Sequence, residues 1–448
     1  MNTPICDFVR RYADGEPLRL HMPGHKGTNR LGFEALDITE IDGADSLYEA
    51  DGIIRQSERN ASLLFGADTY YSTEGSSLSI RAMLMLAVRY AKANRKKPII
   101  AAGRNAHKVF LFAAALLDFE VLWLPSNNGE TYLSCRPSEQ SLECFFKQCD
   151  TLPTALYLTS PDYLGTVADI ESLAKVCHRY GVLLLVDNAH GAYLKFLSPS
   201  RHPIDQGADA CCDSAHKTLA ALTGAAYLHI SKNAPTEFGK DVKGAMALFA
   251  STSPSYLILQ SLDHLNSQLA RDYPQKLGAL IEYANQKKAA LAALGFSFIG
   301  DEPIKWTVCA KTYGYTGVEL AVILANQKIV CEFADPDYVV LMLTPEIGVE
   351  GIDRLFDALS KIEKKQPILQ IAPPSTHGTV VLSIRNALLS PAEKLPCEQA
   401  IGRILASPGI SCPPAVPILM PGERITEEAI EAFRYYGIKT CSVVLENK

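Results

Sequence analysis

The chain has 448 residues, of which 48% are hydrophobic and 21% charged, and its formal net charge is -6. That balance is ordinary for a folded globular protein and argues against long disorder, a basic nucleic-acid footprint or a cationic membrane-binding segment. No apolar run approaches the roughly 20 residues of a membrane span, and the opening MNTPICDFVRRYADGEP lacks an apolar signal core, so the expected compartment is the cytoplasm.

A length prior of roughly 100–200 residues per domain points to two or three domains. Residues 78–92 carry apolar positions at helical spacing. PIIAA at 98–102 reads as a strand, 107–117 as a helix and FEVLWL at 119–124 as a strand. A helix near 138–148, the strand ALYLT, a helix at 169–180 and the strand VLLLVD, ending at Asp187, continue the alternation. The alternation predicts an α/β fold, a mostly parallel sheet covered by helices, with ligands at the carboxyl ends of the strands. After Ser253 the pattern changes. SPSYLILQSLDHLNSQLARDY is expected as one long amphipathic helix opened by Ser-Pro, with a second helix over 274–294. The rest mixes strands and helices around Pro373-Pro374 and Pro413-Pro414. The expected division is an N-terminal segment at 1–50, a large domain at 51–270 and a small α+β domain at 271–448. The twelve cysteines are scattered and form no C-x-x-C pair, which predicts reduced thiols and no metal site.

Four features bear chemistry. Thr73-Glu74-Gly75-Ser76-Ser77 stands directly before a helix, where glycine, hydroxyls and free N–H groups suit a phosphate. Asp187 ends the strand VLLLVD and is followed by Asn188-Ala189-His190-Gly191; a carboxylate there is placed to meet a protonated ring nitrogen. Ser214-Ala215-His216-Lys217-Thr218 follows the strand-like 208–213 and offers a lysine that can condense with a carbonyl. Arg104-Asn105-Ala106-His107-Lys108 joins a strand to a helix and offers a histidine that can stack on an aromatic ring. Taken singly, each has a commoner explanation: a helix cap, a turn aspartate, a solvated lysine, a loop histidine. Their order along the chain is more specific than any one of them. Pyridoxal 5'-phosphate (PLP) requires these parts: an anion site, a ring clamp, a partner for the pyridine nitrogen and a Schiff-base lysine.

The chain resembles the Orn/Lys/Arg decarboxylase group of fold-type-I PLP enzymes. Leu20-His21-Met22-Pro23-Gly24-His25-Lys26-Gly27 is similar to that family's N-terminal signature. Asp37-Ile38-Thr39-Glu40, Phe65-Gly66-Ala67-Asp68, Ser160-Pro161-Asp162-Tyr163-Leu164-Gly165, Thr252-Ser253-Pro254-Ser255-Tyr256 and Pro421-Gly422-Glu423 also match, so the resemblance runs from about residue 18 to 430. It is to the short form that lacks an extra N-terminal domain. The resemblance implies Lys217 as the Schiff-base lysine, Asp187 at the pyridine nitrogen, His107 stacked on the ring and Ala189 on its other face. It gives Gly75, Ser76, Ser77, Ser214 and His216 to the phosphate, and Lys217 or His216 to the proton returned after CO2 leaves. Ser251 resembles a phosphate contact supplied by a neighbouring subunit, which implies a homodimer with shared sites and a small amino-acid substrate.

The sequence departs from the family at the rim. Glu74 replaces a usual Asn, Asn188 a usual Glu, Val109 a usual Ser and Gly224 a usual Gln. Tyr193 stands where His is common, and Ser407 and Cys412-Pro413-Pro414-Ala415 replace the usual Glu and Tyr-Pro-Pro-Gly. Decarboxylation of a basic amino acid is the expected chemistry. Transamination or β-elimination on the same core, with Arg385 as a carboxylate clamp, stays open, as does a non-catalytic protein that retains the cofactor. Asp162 and Glu332 are the acids first considered for reading a cationic substrate.

Overall fold

The computed structural model describes residues 1–126, 130–408 and 414–446. They form two compact units, 1–96 with 170–277 and 97–169 with 278–448. In chain order come α1 (Pro4–Asp14), α2 (Ile53–Phe65), β1 (Asp68–Ser72) and α3 (Gly75–Ala93). Next are β2 (Ile99–Ala102), α4 (Lys108–Leu117), β3 (Glu120–Trp123), α5 (Glu139–Gln148) and β4 (Ala155–Thr159). Then follow α6 (Ile170–Arg179), β5 (Leu183–Asp187), β6 (Ala210–Asp213), α7 (Ala215–Thr218), β7 (Ala226–Ile230), α8 (Val242–Ala247), α9 (Tyr256–Leu269) and α10 (Tyr273–Ala293). The remainder holds β8 (Phe298–Ile299), β9 (Lys305–Cys309), α11 (Gly317–Asn326), β10 (Phe333–Ala334), β11 (Tyr338–Met342) and α12 (Gly348–Ser360). Last are α13 (Ile384–Leu389), β12 (Ala392–Pro396), α14 (Glu427–Tyr435) and β13 (Thr440–Val444).

In the first unit the strand order is β1-β7-β6-β5. β5 and β6 run parallel, whereas β7 is antiparallel to both β6 and β1. β5 is buried at every residue, which is why VLLLVD reads as a continuous apolar run and not as an alternating one. A polar knot ties the helices to these strands. Asp263 of α9 accepts the Ile5 and Cys6 N–H groups at 2.9 and 3.0 Å, capping the start of α1. Its other oxygen takes the Ser57 hydroxyl of α2 at 2.5 Å, and Ser57 in turn pairs with the Tyr71 hydroxyl of β1 at 2.7 Å. Asp45 does the same for α2, accepting from Gly52, Ile54 and Arg55.

In the second unit β2 pairs in parallel with β3 and β4. A separate antiparallel sheet has the order β10-β11-β9-β8, and β12 pairs with β13. A core of Tyr163, Phe333, Val340, Ile418, Phe433 and Val443 fills the space beside these strands.

The strands and helices expected at 98–187 each begin and end within one residue of expectation. The helix expected from Ser253 is shorter: Ser255 caps it with its hydroxyl toward the Ile258 N–H, and it stops at Leu269. α1, α2, β1 and β7 lie outside the expected alternation. All the described cysteines are free thiols, and no described helix is long and apolar enough to cross a membrane.

Candidate active site

Three strand ends and one helix start of the first unit carry most of the residues singled out above. α3 begins at Gly75, with no side-chain cap on its first turn. A helix start has N–H groups without helical acceptors and a partial positive charge, so an uncapped one favours an anion. Gly75 has φ +69°, and a Cβ there would lie 3.9 Å from the His216 ring. The loop is braced from below: the Gly75 N–H donates to the Gly224 carbonyl at 2.8 Å. Gly224 has φ +97°, and a Cβ would come within 2.9 Å of the Thr73 carbonyl, so this turn needs glycine and explains one departure from the family.

The segment after β6 closes over that loop. The Ser214 hydroxyl donates to Ser76 Oγ at 2.8 Å, and both residues are buried. His216 places Nδ1 2.9 Å from the Ala225 carbonyl. Burial pushes its imidazole below the ordinary range and Lys217 adds to this, against the opposing hydrogen bond to Ala225. Lys217 Nζ lies 3.1 Å from His190 Nε2. His190 follows the end of β5 and had no role in the sequence reading, although it stands in the Asp187-to-Gly191 stretch singled out there. Asp187 ends β5 with only 3% exposure. Its Oδ1 accepts the Ala189 N–H at 3.2 Å and the Cys212 thiol at 3.6 Å. Burial, reinforced by Asp187, pushes the Cys212 thiol far above its usual range, so it donates without ionising.

Ser251 is exposed, and its N–H donates to the Glu74 carboxylate of the same chain at 2.7 Å. Glu74 is thus drawn to an exposed amide. Ser77 is the third residue of α3, and Ala189 is buried in the turn after β5.

The other singled-out residues belong to the second unit. His107 caps α4 by accepting the Val109 N–H at 3.2 Å. Arg104 makes a two-pronged, buried pair with Glu423 at 2.8 and 3.0 Å, which joins the segment of His107 to the matched Pro421-Gly422-Glu423. Arg385 donates to the Ala115 carbonyl at 2.5 Å, where α4 ends, so its guanidinium serves a helix terminus. Asp162 spends Oδ1 on the Leu164 and Thr166 N–H groups of its own loop. Glu332 accepts the Tyr163 hydroxyl at 2.9 Å. Cys412 and Pro413 lie outside the described residues.

The donor set of the first unit fits PLP. An uncapped helix start, a serine pair and an imidazole ring one glycine-sized space, and the Thr218 hydroxyl, one residue beyond Lys217, is buried with no hydrogen-bond partner among the described residues. Comparison with solved structures identifies the fold. The fold is that of the fold-type-I PLP enzymes, a mostly parallel sheet with helices and a smaller antiparallel C-terminal sheet. The constitutive lysine decarboxylase of E. coli matches with a TM-score of 0.79 at 18% identity, over 99% of this chain and 82% of that one. A sphingosine-1-phosphate lyase of Burkholderia pseudomallei matches with a TM-score of 0.56 at 17% identity, over 69% of this chain and 76% of that one.

The family follows from sequence. The major-domain model of the Orn/Lys/Arg decarboxylases matches residues 3–299, and the C-terminal-domain model of the same family matches 376–441. The chain belongs to the Orn/Lys/Arg decarboxylase family and is a decarboxylase. It is similar to the arginine decarboxylase of Bacillus subtilis, at 29% identity over 96% of this chain and 92% of that one. Similarity to the arginine decarboxylase of Halalkalibacterium halodurans is 28% over 96% and 93%.

Proposed function

We propose that this chain removes the α-carboxylate of a basic amino acid, arginine first among the candidates, with PLP held at Lys217. The observation that carries the reading is the meeting, within one unit, of the uncapped α3 start, the Ser214–Ser76 pair and the Lys217–His190 contact. Arginine leads because relatives matched over nearly their full length bear the name arginine decarboxylase. Arg385, the candidate clamp for a transaminase, is committed to the end of α4.

When bound, PLP supplies an aldehyde for the substrate amine and a conjugated ring that takes up the electron pair of the breaking carboxylate bond. Ser76, Ser77 and Ser214 would hold the phosphate by N–H and hydroxyl donation, in the space that Gly75 leaves open. His216 contributes a second donor only as imidazolium: a neutral ring whose Nδ1–H faces Ala225 leaves a lone pair at Nε2. A phosphate dianion beside it favours the protonated ring. Lys217 would hold the aldehyde through its amine. His190, in contact with Nζ, exchanges a proton with the lysine amine and keeps it available for the returned proton. Asp187 would keep the ring nitrogen protonated, and Ala189 and His107 would pack on the ring.

Borohydride treatment tests the cofactor assignment. The protein should lose a visible absorption band and retain a reduced pyridoxyl group on the peptide containing Lys217. Lys217→Ala should retain none; covalent trapping in that variant would sink the assignment.

The site is completed, in this reading, by Ser251 of a second subunit in a cytoplasmic homodimer. Mixed dimers of Lys217→Ala with Ser251→Ala subunits then contain one doubly damaged site and one intact site, and regain activity. If exchange occurs and no activity returns, Ser251 serves its own chain.

A further inference from the structure

Asp213 ends β6 and immediately precedes the Ser214-to-Lys217 segment. It is 0% exposed. Its Oδ1 accepts the Asn188 side-chain N–H at 2.6 Å, and its Oδ2 accepts His202 Nε2 at 3.1 Å and His229 Nε2 at 3.2 Å. The three donors come from three segments: the turn after β5, the loop before β6, and β7. The chain of bonds continues to β1, since His229 Nδ1 pairs with Thr69 Oγ1 at 2.9 Å. Burial alone would raise the carboxyl, but the two imidazoles and their hydrogen bonds hold it well below the carboxylate range.

Strand geometry places this network behind the site. Side chains alternate across a sheet, so Cys212 meets Asp187 on one face while Asp213 and Cys211 point to the other. Asp187 and Cys212 are partners in register, and the Asn188 N–H donates to the Cys212 carbonyl at 3.0 Å. Asn188 is therefore fastened to β6 twice, once by backbone and once by its side chain to Asp213. The residues on either side of it in the turn are Asp187 and Ala189, and His190 comes next. The family's usual Glu at position 188 would set two carboxylates against each other here.

We infer that Asp213 is a positioning residue for the decarboxylation site. Through Asn188 it fixes the turn carrying Asp187 and His190 against the segment carrying Lys217, which starts from Asp213 itself. The inference rests on the PLP reading above. A metal is the competing occupant, because His202, Cys211 and Asp213 bring ligand atoms within 4.8 Å of one another. The hydrogen bonds favour the network. Both imidazoles already donate to Asp213, burial holds the Cys211 thiol far above its usual range, and buried His202 Nδ1 lacks, among the described residues, the partner that a metal-bound histidine normally has.

The test is a swap in the PLP-loaded protein. Asp213→Asn leaves two amides facing each other, and Asn188→Asp leaves two carboxylates. The double variant restores one N–H to carboxylate bond with its direction reversed. Each single variant should lower kcat by at least about tenfold with a smaller change in KM, and should shift the pH midpoint of the visible cofactor band. The double variant should return kcat to within about threefold of wild type and return the midpoint, since coupled neighbours are not additive. Single variants that only melt earlier, with kcat and band midpoint unchanged, would overturn the inference, as would a double variant no better than the worse single. If Asp213→Asn does not fold, Asn188→Ala, which keeps the carboxylate and removes its donor, is held to the same two readouts. Stoichiometric zinc in wild type that is lost in Asp213→Asn would replace the network with a metal site. A wild-type protein with no visible band and no label at Lys217 would instead refute the cofactor reading.

Discussion

Asp213 in the first unit and Asp335 in the second are both buried aspartates at strand ends, and their surroundings drive them in opposite directions. Asp213 faces three side-chain N–H donors, two of them imidazoles, and stays ionised. Asp335 opens the turn between β10 and β11. Its Oδ1 accepts the Asp337 and Tyr338 N–H groups at 2.8 and 2.7 Å, while its Oδ2 is buried with no hydrogen-bond partner among the described residues. Lys311 spends its charge on Asp337 Oδ1, at 2.9 Å, and on the Gln370 carbonyl. Burial thus pushes Asp335 up to about 6, and Asp337 adds to the push. Burial is nearly equal in the two places; the number and charge of the donors decide whether the negative charge is kept. In the first unit, retained charge stands directly behind the candidate site. In the second it is given up below about pH 6, in a structural turn.

The largest expected effect lies on the first side of that contrast. Asp187→Asn keeps the shape of the side chain and removes its charge, so the ring nitrogen loses the partner that holds its proton. A charge-assisted hydrogen bond contributes roughly 1.5–3 kcal/mol, and each 1.36 kcal/mol of barrier is about tenfold in rate. Turnover per bound cofactor should fall about tenfold to a hundredfold while cofactor remains bound. Expressing the rate per cofactor excludes misfolded protein, which carries none. Turnover per cofactor near wild type would mean that Asp187 serves only its turn, and the distinction between a working charge and a structural one would collapse.

What could be read from sequence follows the same division. Asp187 and Lys217 stand out because each follows a short apolar run that can only be a buried strand, and strand ends are where such sheets bind ligands. The cradle stands out because Gly-Ser-Ser precedes a long helical pattern. The network behind the site is not legible in this way. His202, Asp213 and His229 are separated by strand and loop, and only the register of β6 with β7, which pairs Cys211 with His229, brings them onto one face. β7 itself was missed: AYLHI is short, and its antiparallel direction breaks the alternation from which the sheet was inferred. Arg385 illustrates the reverse failure. A motif made it a candidate carboxylate clamp, while the carbonyls at the end of α4, distant in sequence, claim its guanidinium.

The smaller expected effect tests the second side. Asp335→Asn keeps the Oδ1 acceptor for Asp337 and Tyr338 but cannot ionise. In the folded chain the wild-type carboxyl holds its proton up to about pH 6, against an ordinary value of 3.8. Its contribution to stability is therefore fully present below about pH 3.8, shrinks as the pH rises, and is gone above about pH 6. At about 1.36 kcal/mol per pKa unit, the window spans no more than about 3 kcal/mol. The variant should match wild type near pH 4 and exceed it by up to that amount at pH 8, with saturated turnover unchanged. Both tryptophans, Trp123 and Trp306, lie in the second unit, so their emission during urea unfolding reports on the unit that holds Asp335. Lys311 and Tyr435 face Asp337 and keep those contacts in the variant, so they do not produce the pH dependence of the difference. A stability gap that is flat between pH 4 and pH 8 would show that Asp335 keeps its charge despite burial. Its contrast with Asp213 would then vanish.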